Sequence, residues 1–395
     1  MSTEIDTTMT HGSKTSQDGK IALFSGGGSG GHVFPGLAVA SELENRGWRV
    51  DWAGSEGAME EKLVRRHGLR FHPLTARPMV GKGLASKILA VATLVRSAWT
   101  ARRLVKNLDA RVVLGTGGYV SAPAVLGGRL AGVPALLLEP NAKAGFANRM
   151  LSRWSQEATL ATPSAANDLR CSSTTTGVPV REEFFAVSPN LPFGAPLRVL
   201  VLGGSQGALK VNQMLPKALK RLPEDLGPIV VRHQCGKRHL KTSRQAYEAE
   251  GFPVVAVEGG GFRPDGPRIQ VEIVSFMHDV AGAMAESHLI VSRSGAITLA
   301  EVCAAGRPTL LMPLALAGGH QQSNALGLKA SGAAEVVSDD ESVETLANAL
   351  LDLLGNPDRL NSMAAAAREL GRADAAAAIA DRLEHWAGTE RREAA

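Results

Sequence analysis

Ile21-Ala-Leu-Phe24, a short apolar run, passes directly into Gly26-Gly-Gly-Ser-Gly-Gly31 and then into the amphipathic stretch Val33–Leu43. That order reads as buried strand, glycine loop and helix. The same sentence is written a second time: Arg198-Val-Leu-Val-Leu202 leads into Gly203-Gly-Ser-Gln-Gly207 and then into Ala208–Leu222. Between and beyond these units lie further short apolar runs separated by Gly and Pro, among them Val112–Leu114, Ala135–Leu138, Leu289–Val291 and Thr309–Met312. Such runs, alternating with helical stretches, are the mark of parallel strands covered on both faces. The expected fold class is α/β, with two Rossmann-like doubly wound domains facing a cleft.

A chain of 395 residues is comfortable for two cores, since a compact domain usually holds about 100 to 200 residues. Residues 1–19, rich in Ser, Thr, Asp and Gly, read as a disordered tail without the apolar core of a signal peptide. The first domain is expected over 20–187. Pro and Gly interrupt both periodicities in Ser188–Pro196, so 188–196 is read as the linker. The second domain is expected over 197–370, with Ala-rich closing helices over 371–395. No apolar run is long enough to span a bilayer. Cys171, Cys235 and Cys303 share no metal-ligand or disulfide spacing, which fits a reducing cytosol. A net charge of +5 favours anionic partners without choosing among phosphates, nucleic acid and lipid.

Glycine loops between strand and helix let backbone N–H groups approach a phosphate, and the helix N-terminus adds partial positive charge. Gly26, Gly28 and Gly31 satisfy G-x-G-x-x-G, and Asp51 follows about 20 residues later. A nicotinamide-dependent oxidoreductase is therefore an open reading, opposed by His32 and Pro35 immediately after the loop. In the second half, Ser205 and Gln206 add side-chain donors, and Arg181 offers a cation from the connecting segment. A third loop, Ser292-Arg-Ser-Gly295, opens the helix Ala296–Ala304, and on spacing alone its Glu301 reads as a solvated helix residue. The polar cluster His320–Asn324 follows another strand end, where α/β sheets line their ligand crevice.

Six segments together resemble the MurG family of bacterial peptidoglycan glycosyltransferases, which has the GT-B fold. They are Gly26–Pro35 (GGGSGGHVFP), Gly115–Pro123 (GTGGYVSAP), Glu139–Arg149 (EPNAKAGFANR), Gly203–Ala208 (GGSQGA), Ser292–Glu301 (SRSGAITLAE) and His320–Ala325 (HQQSNA). The resemblance runs from about Ile21 to Trp386. It implies transfer of N-acetylglucosamine from UDP-GlcNAc to the 4-hydroxyl of the muramoyl sugar of lipid I, with inversion, giving lipid II. Two departures stand out: Leu138-Glu-Pro-Asn141 replaces the family's usual His-Glu-Gln-Asn, and Gly259–Pro267 reads as a lengthened connection.

Carried over motif by motif, the resemblance places Ser29, Gly30, Gly31 and Asn141 on the donor-sugar side of the cleft. Arg181, Ser205, Gln206 and Met277 would hold the phosphate and uracil end. Ser294 and Gly295 would open the helix onto the donor, with Ala296, Ile297, Thr298, Leu299 and Ala300 offering backbone to diphosphate or sugar. Glu301 would accept the ribose hydroxyls and Gln321 would read sugar hydroxyls. Helix dipoles can stabilise the UDP leaving group, so neither metal nor cofactor is expected, and no D-x-D pattern occurs. An imidazole suits removal of the acceptor's proton at neutral pH, making His32 the candidate base, with Glu139 and Tyr119 as further acceptor-side groups.

Because lipid I is bilayer-anchored, the enzyme is expected at the cytoplasmic face of the cell membrane, held peripherally on anionic lipid; nucleic acid is not an expected partner. The candidate docking stretch is Met79–Lys106, where Leu84, Ile88, Val91, Val95 and Trp99 recur at helical spacing beside Lys82, Lys87, Arg96, Arg102, Arg103 and Lys106.

Overall fold

The computed structural model describes residues 19–76, 84–190, 194–204, 206–255, 266–314 and 319–393. The first half is built on strands β1 (Ile21–Gly26), β2 (Arg49–Gly54), β3 (Arg70–Pro73), β4 (Ala110–Gly117), β5 (Ala135–Glu139), β6 (Glu157–Leu160) and β7 (Ser172–Thr175). They form one sheet in the order β3-β2-β1-β4-β5-β6-β7, each described pairing parallel. The second half repeats the plan with β8 (Leu197–Leu202), β9 (Ile229–Gln234), β10 (Val254–Val255), β11 (Ile269–Val274), β12 (Leu289–Ser292), β13 (Thr309–Leu311) and β14 (Ala334–Val336). Their order is β10-β11-β9-β8-β12-β13-β14.

Side-chain alternation explains why the sequence shows continuous apolar runs. In β1, Ala22 and Phe24 join a core with Val112, Leu114, Leu136 and Leu138, while Leu23 joins the opposite core with Val113 and Leu137. In β8, Val199 and Val201 face one core and Leu200 and Leu202 the other. A strand covered on both faces has no polar side to show. Each such side chain contributes roughly 1.5 to 3 kcal/mol on burial.

Both sheets reverse direction at their first strand, between β1 and β4 in one and between β8 and β12 in the other. At such a switch point neighbouring connections leave on opposite faces, opening a crevice at the carboxyl ends of the strands. The loops after β1, β4, β8 and β12 are the glycine and SRSG segments singled out above.

The chain crosses between the halves twice. The second crossing ends in the helix Ala375–Glu393, which does not stay with the second half: Ile379, Ala380 and Leu383 enter the core of the first half. Arg46 bonds Asp381 at 2.6 Å and Glu384 at 2.8 Å, Trp48 Nε1 donates to Glu384 at 2.8 Å, and Arg382 meets Glu157 at 2.8 Å. The closing helix is thus a strap from one half onto the other, set by its apolar stripe.

Candidate functional site

His32 stands in the first turn of the helix Gly30–Asn45, directly after the glycine loop. Its Nδ1 lies 3.2 Å from the Thr116 main-chain oxygen. A carbonyl can only accept, so Nδ1 carries the proton and Nε2 keeps its lone pair. The ring fits because β4 ends in glycine: a Cβ on Gly117, whose φ is +109°, would lie 2.5 Å from Nδ1. Burial pushes the imidazole below its usual range; the Glu139 charge and the Thr116 bond oppose this, and the His320 charge adds to it. The ring is therefore neutral near pH 7.

The same loop answers the dinucleotide reading. Gly28 N–H donates to Glu60 Oε2 at 3.3 Å and Ser55 N–H to Oε1 at 3.3 Å. Glu60 is buried, and a Cβ on Gly27 would collide with its carboxylate. A fixed carboxylate sits where a pyrophosphate would have to approach. Asp51, the residue that would grip a ribose, is buried and bonded to His72 at 2.6 Å and Arg49 at 3.1 Å.

Glu139 ends β5 and is 1% exposed. Its Oε1 accepts from Asn141 N–H at 3.0 Å and Asn141 Nδ2 at 2.9 Å, and its Oε2 from Gly145 N–H at 2.8 Å and Asn148 Nδ2 at 2.9 Å. Both oxygens are occupied in shaping the loop 140–148, so the geometry makes Glu139 a positioning group for Asn141 and a source of charge for His32. Pro140, which stands where the family usually has Gln, is buried beside it without disturbing these bonds. Tyr119, in the 3₁₀ turn Tyr119–Ser121 after β4, is 41% exposed and free to meet a ligand.

The loop continues into the second half through Asn324. Asn324 Oδ1 accepts from Ala142 N–H at 2.7 Å, while its Nδ2 donates to Asn141 Oδ1 at 3.2 Å and to the Ser294 main-chain oxygen at 3.1 Å. His320 Nδ1 meets the Lys143 main-chain oxygen at 3.0 Å. One buried amide thus ties the Glu-Pro-Asn loop to the SRSG loop across the cleft.

On the second half, the helix Ala296–Ala305 begins at Gly295 with no side-chain cap and no acid in its first turn, leaving its N-terminal dipole for a ligand. Ile297 looks at the first glycine loop: its Cγ1 lies 3.9 Å from where a Gly31 Cβ would be. Ser294 is buried and donates to the Gln321 main-chain oxygen at 2.7 Å, and Gln321 Oε1 accepts from Leu314 N–H at 3.0 Å. Glu301 is half-buried, with its carboxyl pushed up to about 7 by burial, against the charge of Arg181 and with that of Glu183. Arg181 itself bonds Glu183 at 2.8 Å and lies over the Phe184 ring. Glu301 is no solvated helix residue. Met277 packs in the core beside Leu202 and Ile290, just after β11. Gln206 is exposed on the second glycine loop. Ser205 lies outside the described residues.

One expected donor contact turns elsewhere. Leu299 gives its N–H to the Gly295 oxygen and its side chain to a core with Cys303 and Leu328. Ala300 lies at the edge of that face, about 100° round the helix from Leu299 and about 60° from Ile297.

With this geometry in hand, comparison with known proteins decides the family. The description "Glycosyltransferase family 28 N-terminal domain" matches residues 22–159, and "Glycosyltransferase family 28 C-terminal domain" matches 198–380. The chain belongs to glycosyltransferase family 28. A family 28 relative from Ectopseudomonas mendocina (strain ymp) is 40% identical over 364 residues, spanning 91% of this chain and 96% of that one. It is named UDP-N-acetylglucosamine--N-acetylmuramyl-(pentapeptide) pyrophosphoryl-undecaprenol N-acetylglucosamine transferase. One of the same name from Aeromonas hydrophila subsp. hydrophila is 38% identical over 372 residues, 93% of this chain and 97% of that one. The crystal structure of Acinetobacter baumannii MurG superposes with a TM-score of 0.74 at 31% identity, covering 93% of this chain and 99% of that chain. The two-domain GT-B architecture is therefore shared along nearly the whole family 28 chain.

Two residues of this site, Thr116 and Gly117, were quoted in the sequence without a role, and two more, His320 and Asn324, were read only as part of a polar cluster at the crevice. Thr116 and Gly117 lie within the quoted GTGG motif, and their signal was a pair of glycines at a strand end with no turn to explain them. Asn324 and His320 lie within HQQSNA, whose cross-cleft partners are 177 to 183 residues away.

Proposed function

We propose that this chain transfers N-acetylglucosamine from UDP-GlcNAc to the 4-hydroxyl of the muramoyl sugar of lipid I, with inversion, forming lipid II. The observation that carries the mechanism is the neutral His32 imidazole with Nε2 unprotonated, at the head of one helix and across from the uncapped head of another. In the transfer, the acceptor oxygen forms a bond to the anomeric carbon while the bond from that carbon to the β-phosphate oxygen breaks. The electron pair leaves on UDP, and the acceptor's proton goes to His32 Nε2. Charge grows on the diphosphate, where Gly295 and the first turn of Ala296–Thr298 offer N–H groups and dipole. Glu301 accepts the ribose hydroxyls, Arg181, Gln206 and Ser205 serve the phosphates, Met277 lines the uracil end, and Gln321 with Asn141 reads the sugar. Ser29, Gly30 and Gly31 close on the donor from the other side, and Tyr119 meets the acceptor.

The acceptor's own anchor lies in a bilayer, and the reading includes docking on the cytoplasmic membrane surface. What supports it is the helix Leu84–Leu108: Val95 and Trp99 are 53% and 52% exposed, with Leu89 and Val91 exposed beside them. Arg96, Arg103 and Lys106 are exposed on the same helix, and Arg102 lies over the Trp99 ring at 5.4 Å. The core is served by Ala98, Ala101 and Val105 instead, so the apolar row is surplus to folding. Met79 and Lys82 lie outside the described residues, as do the side chains of Leu84, Lys87 and Ile88. Among the described residues no helix is long and apolar enough to cross a membrane.

UDP release with a soluble lipid I analogue, run against UDP-GlcNAc and UDP-glucose, tests the assignment. Acceptor-dependent release with UDP-GlcNAc and product of β configuration is expected. Equal turnover of UDP-glucose, or release that ignores the acceptor, would refute it.

A further inference from the structure

A cavity of about 710 Å³ opens between the two halves, behind the helix Ala296–Ala305 as seen from the donor side. Ala296, Leu299, Ala300 and Cys303 line it. At 100° per residue these four form one stripe, and Ile297, Thr298 and Glu301 fall on the opposite side. One helix therefore separates the proposed donor site from this second space.

The other walls come from places that respond to the angle between the halves. Val178 and Val180 belong to the first crossing of the chain and Arg372 to the second. The Ala142–Asn324 pair, whose 2.7 Å bond ties the halves together, lies in the wall as well. Any hinge motion changes the shape of this space. Its volume and mixed lining are those of a ligand site at a domain interface, about 300 to 1,000 Å³ and mainly apolar with a few polar groups. Two cations, Lys143 and Arg372, line it against one acid, Asp168. Asp168 already accepts the Ala144 N–H at 3.0 Å, and Arg372 keeps Asp374 only at 3.3 Å on its exposed edge. The balance favours an anionic group on an apolar body.

We propose that this cavity is a second ligand site, for a compact apolar molecule bearing one anionic group, and that its occupancy is coupled to donor binding through the helix Ala296–Ala305. A molecule there binds one arrangement of the halves better than another, so it must shift donor affinity by the same factor as donor shifts its own. The coupling, unlike the site, rests on the donor reading of Ile297 and Glu301.

The probe is 1-anilinonaphthalene-8-sulfonate, an apolar bicycle with one sulfonate, titrated into the full chain with and without UDP. Saturable single-site binding is expected, with UDP changing its dissociation constant by a factor that levels off at saturation and is matched in the reverse titration. Gly327 lines the cavity on a helix, and a Cβ there meets nothing within 4 Å. Gly327→Phe should fill the space while favouring the helix, weakening probe binding at least tenfold and leaving UDP bound. Ser331→Phe fills the same wall from the helix end and should act alike. Trp99→Ser, on the exposed apolar face, should leave the probe unaffected. The site is overturned by an absence of saturable binding, by binding that survives both filled variants, by loss in Trp99→Ser, or by competitive displacement by UDP. A coupling factor of one overturns the link alone, and failure of UDP to bind refutes the donor reading while the probe arms still judge the cavity.

Discussion

The His32 imidazole donates from Nδ1 to the Thr116 main-chain oxygen at 3.2 Å, which fixes the tautomer and leaves Nε2 as the basic nitrogen. Burial lowers its pKa below 6.5. For a base that must be neutral, activity is held below pH 6.5 and falls tenfold per unit only beneath the lowered value. With donor saturating, kcat/KM for the acceptor should therefore show its acid limb below pH 6.5; a limb above that would contradict the geometry. His32→Ala should cost about two to four powers of ten in turnover with UDP binding retained. The stability sign is the same: the unfolded chain binds the proton more tightly, so this group withdraws stability as pH falls through 6.5.

Gly117 makes room for that ring. At φ +109° any side chain is strained, and a Cβ 2.5 Å from Nδ1 must displace the imidazole. Gly117→Ala should reproduce most of the His32→Ala defect in turnover, with donor affinity preserved. Near-normal turnover in Gly117→Ala would mean that the Thr116 bond does not position the base.

Glu301, pushed up to about 7 by burial, is half protonated near neutral pH. Only the carboxylate accepts two hydroxyl hydrogen bonds, so UDP should bind more tightly as pH rises through 7 and lose about tenfold per unit below it. Calorimetry in buffers of different ionisation enthalpy should detect proton release on binding near pH 6. Glu301→Ala should weaken UDP by about 1.5 to 3 kcal/mol and abolish the release. A pH-independent affinity would remove Glu301 from the donor site. Because this folded-state pKa is raised, the carboxyl favours the fold below its ordinary value near 4.5, and that contribution is lost as pH rises through about 7.

Strand, loop and helix were legible because they occur twice in the chain: a strand buried on both faces is apolar throughout, and the tight loop that follows it is rich in glycine. The candidate base His32 could be picked out for the same reason, standing next to such a loop. What could not be read is where non-local partners converge. Nothing in the spacing of Glu139 shows that four donors fill its oxygens, and nothing near Glu60 shows it beneath Gly27 and Gly28. The helix Ala375–Glu393 has an apolar stripe, but which half it covers depends on a crossing that no local pattern specifies.

Asn324 satisfies both halves with one amide, and removing it leaves the half-buried Ala142 N–H and Asn141 oxygen and the buried Ser294 oxygen without that partner. Asn324→Ala should cost about 1 to 3 kcal/mol of stability, seen as a lower midpoint in denaturant. If Asn324 also sets the angle between the halves, KM for UDP-GlcNAc should rise more than the stability loss alone explains, and Asn324→Asp, which keeps the acceptor, should restore part of it. Equal KM in all three forms would confine Asn324 to structure.

On the proposed membrane reading, the docking face is the row Val91, Val95 and Trp99, an exposed apolar stripe flanked by Arg96, Arg103 and Lys106 that serves no core. Each basic residue near an anionic leaflet contributes about 1 kcal/mol. Reversing Arg96, Arg103 and Lys106 to Glu should therefore weaken binding to phosphatidylglycerol vesicles by about a hundredfold or more. The three side chains are exposed, so thermal stability and UDP affinity should not change. Trp99→Ser should weaken vesicle binding by loss of ring burial, and its effect should persist in high salt, where the charge reversals lose theirs. Turnover on a water-soluble acceptor should be untouched by either change, while turnover on vesicle-borne acceptor should fall with binding. Full vesicle binding by the triple reversal would place the membrane face on another part of the molecule.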